Sequence, residues 1–127
     1  MLILEDDVEL CDDFDEKFNA TVSHLPNDWH ALWLNGSDAK PLELYDAHLF
    51  KLVSCYSNFA YLVNHTFYDV LIEGYSKLNQ SCDDFTSSIQ QQYNCYRPVY
   101  PLAYHRNGYS VRLEKKVHYP QLTKPKR

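Results

Sequence analysis

Three carboxylates in a row, Glu5, Asp6 and Asp7, follow directly on the aliphatic run Leu2, Ile3 and Leu4, and Val8 and Leu10 flank Glu9 just after. The apolar run has the length and the polar bounds of a buried strand. Adjacent acids at a strand end repel one another and lose solvation, a cost that a hard divalent cation among them removes. Mg²⁺ and Mn²⁺ both favour oxygen ligands and both hold phosphates, so the cluster points to an ion bridging protein and nucleotide. A solvated turn or a helix cap uses the same residue types, and the acids alone leave that reading open. A second pair, Asp83 and Asp84, opens a predicted helix. Neighbouring carboxylates raise one pKa toward the range of a general base; the structural alternative is an N-cap followed by a first-turn acid.

The elements that must position these groups follow from spacing. A helix is predicted over Asp13 to His24, with Asp13 as cap, Glu16 closing a capping box, and Phe14, Phe18, Val22 and Leu25 at helical intervals. Residues 30–35 read as a core strand, with Trp29 and Trp33 as packing residues. Residues 37–50 lack a period and contain Pro41, so they read as a loop. Residues 50–55 and 59–63 read as strands around a turn at 56–58. Thr66 is the predicted cap of the next helix, Asp69 stands three residues on, and Phe67, Tyr68, Leu71, Ile72, Tyr75 and Leu78 form its apolar stripe. Gly74 costs that helix about 1 kcal/mol relative to Ala, which packing must offset. The helix opened by Asp83 and Asp84 points Phe85, Ile89 and Tyr93 inward. Residues 96–101, interrupted by Pro98 and Pro101, suit a sheet edge, and 103–110 suit a loop with a tight turn at Asn107-Gly108. The order describes one α/β layer structure.

Composition narrows the classes. A chain of 127 residues with 45% hydrophobic and 23% charged residues holds one globular domain. Its formal charge of −5 argues against a general nucleic-acid binder. Arg112, Lys115, Lys116, Lys124, Lys126 and Arg127 gather in a basic tail that reads as a solvated terminus over 113–127. No apolar stretch approaches the roughly 18 residues of a membrane span, and the first residues run into acids without the pattern of a secretory leader. Cys11, Cys55, Cys82 and Cys95 lack metal-ligand spacing; reduced thiols fit the cytosol, and two disulfides remain open. Asn19, Asn35, Asn64 and Asn79 head glycosylation sequons, which matter only in an ER or Golgi setting.

Ile3, Leu4, Glu5, Asp6, Asp7 and Val8 resemble the Ile-Leu-Glu-Asp-Asp-Val box of the family 25 glycosyltransferases, which include bacterial lipooligosaccharide and eukaryotic collagen galactosyltransferases. Residues 28–36 resemble that family's Asp-x-x-x-Leu-x-Leu-Gly strand, with Asn35 inserted before Gly36. Residues 57–64 are similar to its Thr-x-Ala-Tyr-Leu-Ile-Ser segment. Cys82, Asp83 and Asp84 match its acceptor-side aspartate, and Tyr100, Pro101 and Leu102 with Gly108, Tyr109 and Ser110 match its closing run. Five elements in family order cover nearly the whole chain.

The resemblance implies a partial GT-A-like (Rossmann-like) single domain, a mixed sheet flanked by helices, with residues 1–112 as the C-terminal part of the glycosyltransferase domain. The expected function is transfer of a hexose, galactose or glucose, from a nucleotide sugar such as a UDP-hexose to a glycan, lipooligosaccharide or protein-linked acceptor. The alternative is a catalytically inactive truncated relative or a carbohydrate-binding protein. Asp7 is the expected direct ligand of Mn²⁺ or Mg²⁺, with Glu5 reaching the metal, the donor sugar or its ribose, and Asp6 between them. His105 is expected to complete the ion's shell, and Arg106 to grip the diphosphate. Asp84 or Asp83 is the base for an inverting transfer. GT-A enzymes carry further strands before the acidic box that hold the uridine. Their absence implies an open sheet edge, and either a missing N-terminal half or a homodimer across that edge. Cytoplasmic placement, at the inner membrane surface, is the expected location; the ER or Golgi lumen is the alternative.

Overall fold

Ala31, Leu32, Trp33 and Leu34 are each 0% exposed, as a run without polar alternation requires of a strand covered on both faces. A computed structural model describes residues 1–38, 40–77, 81–106, 108–110 and 115–117. In chain order, β1 (Leu2–Leu4), β2 (Val8–Leu10) and α1 (Phe14–Ser23) precede β3 (Ala31–Trp33). Then come β4 (Ser37–Asp38), β5 (Glu43–Leu44), β6 (Leu49–Lys51), β7 (Cys55–Tyr56) and β8 (Ala60–Val63). They are followed by α2 (Tyr68–Lys77), α3 (Cys82–Ile89), β9 (Cys95–Pro98), β10 (Ala103–His105), β11 (Gly108–Ser110) and β12 (Lys115–Val117).

The fold is α/β, built on a six-stranded mixed sheet in the order β1-β8-β3-β9-β6-β5. β3 and β9 are parallel and all other neighbours antiparallel. β1, β3 and β9 therefore run in one direction, and their carboxyl ends open on the same side. Alternation along the strands builds two cores. Ala31, Trp33, Tyr61 and Val63 face α2 and α3, meeting Val70, Leu71, Tyr75, Phe85 and Ile89. Leu32, Leu34, Leu49 and Phe59 face α1, meeting Phe14, Phe18 and Val22. Truncating any one of the fully buried leucines to Ala costs about 2–5 kcal/mol. Trp29 and Trp33 are packing residues as expected: Trp33 stacks on Tyr61 at 5.3 Å, and Trp29 packs on the α1-side core.

Several local expectations are corrected. Asp13 occupies the N-cap of α1, but its backbone is left-handed (φ 55°, ψ 40°) and its side chain makes no cap bond. A capping side chain reaches the first N–H groups from an extended backbone, so the predicted capping box does not form. Thr66 is not a cap either. The chain enters α2 through a 3₁₀ turn at His65–Phe67, which leaves Thr66 already inside helical backbone. Ile72, assigned to the apolar stripe of α2, is 65% exposed. Residues 37–50 are not a plain loop: β4 pairs with β7, and β5 with β6, with Asp46 Oδ1 accepting the N–H groups of His48 and Leu49 at 2.7 and 2.8 Å.

The segment placed at an edge is interior, since β9 lies between β3 and β6. Pro98 is tolerated there for a geometric reason. Leu52 N donates to Cys95 O and Val99 N to His48 O. This parity turns the Pro98 nitrogen away from β6 and toward β3, whose pairing has already ended at Tyr96. The predicted loop at 103–110 contains β10, paired with β2, and β11, paired with β12 inside the predicted tail. Asn107, Leu78, Arg112, Lys124, Lys126 and Arg127 lie outside the described residues. Among the described residues, no helix is long and apolar enough to cross a membrane.

Candidate metal centre at the carboxyl ends of the strands

The β1–β8 ladder continues one step past Leu4, where Glu5 N donates to Phe59 O at 2.8 Å. The chain then turns through Asp6 and Asp7 into β2, which pairs with β10 in a register that sets Val8 against His105. Arg106 N donates to Asp7 O at 2.9 Å, closing this small ladder. Two strands far apart in sequence thus bring Asp7 and His105 together, with His105 Nε2 3.0 Å from Asp7 Oδ2. Glu5, Asp7 and His105 each offer a ligand atom within 4.8 Å of the others. These are the three residues expected at the metal.

The donor set fits a divalent cation. Two carboxylates and one imidazole provide hard oxygens with a single nitrogen, a mixture that Mn²⁺ accepts more readily than Mg²⁺. Asp7 Oδ1 is buried and has no hydrogen-bond partner among the described residues. An unsatisfied buried acceptor costs about 1–3 kcal/mol, which a bound cation removes. The Phe59 and His105 rings meet edge to face, with centroids 5.6 Å apart and planes at 86°.

The other expected site residues stand apart. Asp6 is exposed in the turn, outside the cluster. Arg106 is exposed, and its Nε lies 3.6 Å from Glu9 Oε1, so its guanidinium is engaged with a neighbouring carboxylate. Asp83 and Asp84 fall in the first turn of α3, where the Asp84 carboxylate complements the helix dipole. The cap of that helix is Ser81, whose hydroxyl accepts from Asp84 N at 3.1 Å; the expectation that Asp83 caps it is corrected. Asp84 is exposed and does not join the Glu5–Asp7–His105 cluster. α3 is nevertheless tied to the same end of the sheet. Asn58 Oδ1 accepts from Trp33 Nε1 at 2.9 Å and from the Thr86 hydroxyl at 3.1 Å.

Two buried or partly buried polar supports of the fold beside the cluster were not legible from residue type. Asn35 is 3% exposed, and its Nδ2 donates to Ala103 O at 3.0 Å, bracing β3 against the strand that carries His105. A polar residue between a buried run and Gly36 was the available signal, but the sequon masked it. Asn64 is likewise engaged, donating to Trp29 O, whereas Asn19 is exposed on α1 and Asn79 lies outside the described residues. Arg97 Nη1 pairs with Asp38 Oδ2 at 3.1 Å and donates to Gly36 O at 2.9 Å. Burial raises the Asp38 carboxyl despite the opposing Arg97 charge. All four cysteines are free thiols; burial pushes Cys55 and Cys95 up to about 12. No family model, curated protein or solved structure matches the chain.

Proposed function

We propose that this chain binds a nucleotide-sugar diphosphate through a divalent cation and serves hexose transfer of the family 25, GT-A-like type. The observation that carries this reading is the convergence of Glu5, Asp7 and His105 around a buried Asp7 oxygen without a hydrogen-bond partner among the described residues. Asp7, Glu5 and His105 would hold Mn²⁺ or Mg²⁺. The bound ion supplies electrostatic stabilisation of the diphosphate leaving group. The chain's own task is then to hold the His105 imidazole and the Glu5 and Asp7 carboxylates converging on one point. Arg106 reaches phosphate by exchanging its Glu9 partner for the ligand. Asp84, or Asp83 beside it, takes the proton of the acceptor hydroxyl from the first turn of α3.

The donor in this reading is a UDP-hexose and the acceptor a glycan, lipooligosaccharide or protein-linked sugar, handled in the cytoplasm at the inner membrane surface. β1 is an edge of the sheet, with Leu2 and Leu4 exposed. A further strand or a second copy adding at that edge would extend the sheet toward the uridine. The test is a panel of nucleotide sugars with Mn²⁺, scored for nucleoside diphosphate release. The expected result is release with one hexose donor that disappears with a chelator and in Asp7→Ala. Release that persists unchanged in Asp7→Ala would sink the metal role.

A second reading is favoured by the exposed place of Asp84 outside the cluster: a chain that binds nucleotide sugar without turnover. Mn²⁺-dependent donor binding without diphosphate release, for every donor and acceptor supplied, would select it.

A further inference from the structure

Two of the three clustered residues adjoin one neighbour that is neither polar nor exposed, Glu5 through its backbone and His105 through its ring. Phe59 is 2% exposed; its carbonyl accepts the Glu5 N–H at 2.8 Å, and its ring meets the His105 ring edge to face. The backbone just before it is held in an uncommon state. Ser57, which is not glycine, has φ 85°, a left-handed conformation that is strained for an L side chain and persists only where its surroundings over-determine it. Asn58 supplies that constraint, accepting from Trp33 on β3 and from Thr86 on α3. The pinned pair Ser57–Asn58 therefore aims Phe59 toward the α1-side core, below His105 and beside Glu5.

We propose that the Phe59 ring is a positioning group for the cation site, holding the His105 ring in ligating geometry from a segment locked by Ser57 and Asn58. This rests on the metal-binding reading above. An imidazole ligand is ordinarily oriented by a hydrogen bond to its second nitrogen, and loss of such support lowers metal affinity about 10–100-fold. Here an aromatic edge-to-face contact takes part in that orientation. A flexible aliphatic side chain in its place fills much of the volume but leaves the His105 ring free to swing.

The experiment is Mn²⁺ titration calorimetry on the metal-free full chain, with a thermal melt of each variant. Phe59→Leu and Phe59→Met are the test pair, the second retained in case the first fails to fold. Leu49→Val is the control, because Leu49 lies in the same apolar cluster but on β6, away from β1. The expected result is about tenfold weaker Mn²⁺ binding in the Phe59 variants, with Leu49→Val melting lower yet binding as the parent does. Folded Phe59 variants that bind Mn²⁺ like the parent overturn the proposal and leave the metal site standing. Equal weakening in Leu49→Val overturns it too, since general loosening then explains the loss. A parent chain that binds Mn²⁺ no better than a Glu5→Ala/Asp7→Ala double variant removes the metal reading itself, and this inference with it.

Discussion

At the scale of single residues, Asp7 carries opposing demands that the proposed cation would reconcile. One of its oxygens faces His105 at 3.0 Å; the other is buried without a hydrogen-bond partner among the described residues, while the Glu5 carboxylate lies within 4.8 Å of both Asp7 and His105. Like charges this close are unfavourable in the absence of a cation. Asp7→Asn is therefore expected to melt at or slightly above the parent temperature in chelator. With Mn²⁺ at about 100 times the parent's dissociation constant, the parent should gain about 2.7 kcal/mol and the variant little. Paired melts with and without Mn²⁺ check this; an equal gain in both proteins contradicts the ligand role. The three clustering residues were legible because carboxylates and imidazole announce metal chemistry by type. Asn35, Arg97 and Phe59 were not, because supporting residues have ordinary types and acquire their roles only through contacts across the chain, such as Asn35 with Ala103.

Among elements, legibility followed burial. The all-apolar strand at 31–34 and the helices with clean apolar intervals lie close to where spacing put them, because burial of a whole face fixes them. Caps and edges were misjudged, because they depend on a single φ or on which strand arrives alongside. Asp13, Ser81 and Thr66 are all polar residues near helix starts, and only the Ser81 side chain has an N-cap bond among these three starts. The strands β4, β5 and β7 have two residues each, too few to show a period. Gly74 tests the same logic in reverse. In a solitary helix, Gly74→Ala gains about 1 kcal/mol. Here a Cβ at position 74 would lie 1.8 Å from Phe85 Cζ, where α2 and α3 meet. The ring that must move also packs edge-on against Tyr75 at 5.6 Å. Gly74→Ala is thus expected to lose about 1–3 kcal/mol through overpacking, read as a lower urea midpoint at unchanged slope. A raised midpoint means that Phe85 yields freely and that the α2–α3 contact is loose.

For the whole molecule, the two cores on either side of one sheet make its stability respond to alkali through groups that take no part in the site. Cys55 and Cys95 lie on the face that meets α2 and α3, and both are 0% exposed. Burial holds each thiol protonated up to about 12 in the folded chain, whereas an unfolded thiol ionises near 8.5. Between those values the unfolded chain binds fewer protons than the folded one, so the stability of the fold falls as pH rises. The slope is about 1.4 kcal/mol per pH unit for each thiol. Burial of the Tyr96 phenol adds in the same direction. Lys51 acts oppositely: burial lowers its pKa, so the folded chain gives up that proton first and gains relative stability as it does. Two thiols and a phenol outweigh one amine, so unfolding free energy measured in urea should decline steadily from about pH 9 upward. Replacing both cysteines by Ala should flatten that decline while lowering stability at pH 7 through lost packing. The same burial predicts the order of alkylation in the native chain: Cys82, exposed at the start of α3, reacts first, and Cys55 and Cys95 react only on unfolding. Early modification of Cys55 or Cys95 at pH 8, resolved by peptide mass, would mean that the sheet opens on the α2–α3 side in its native state.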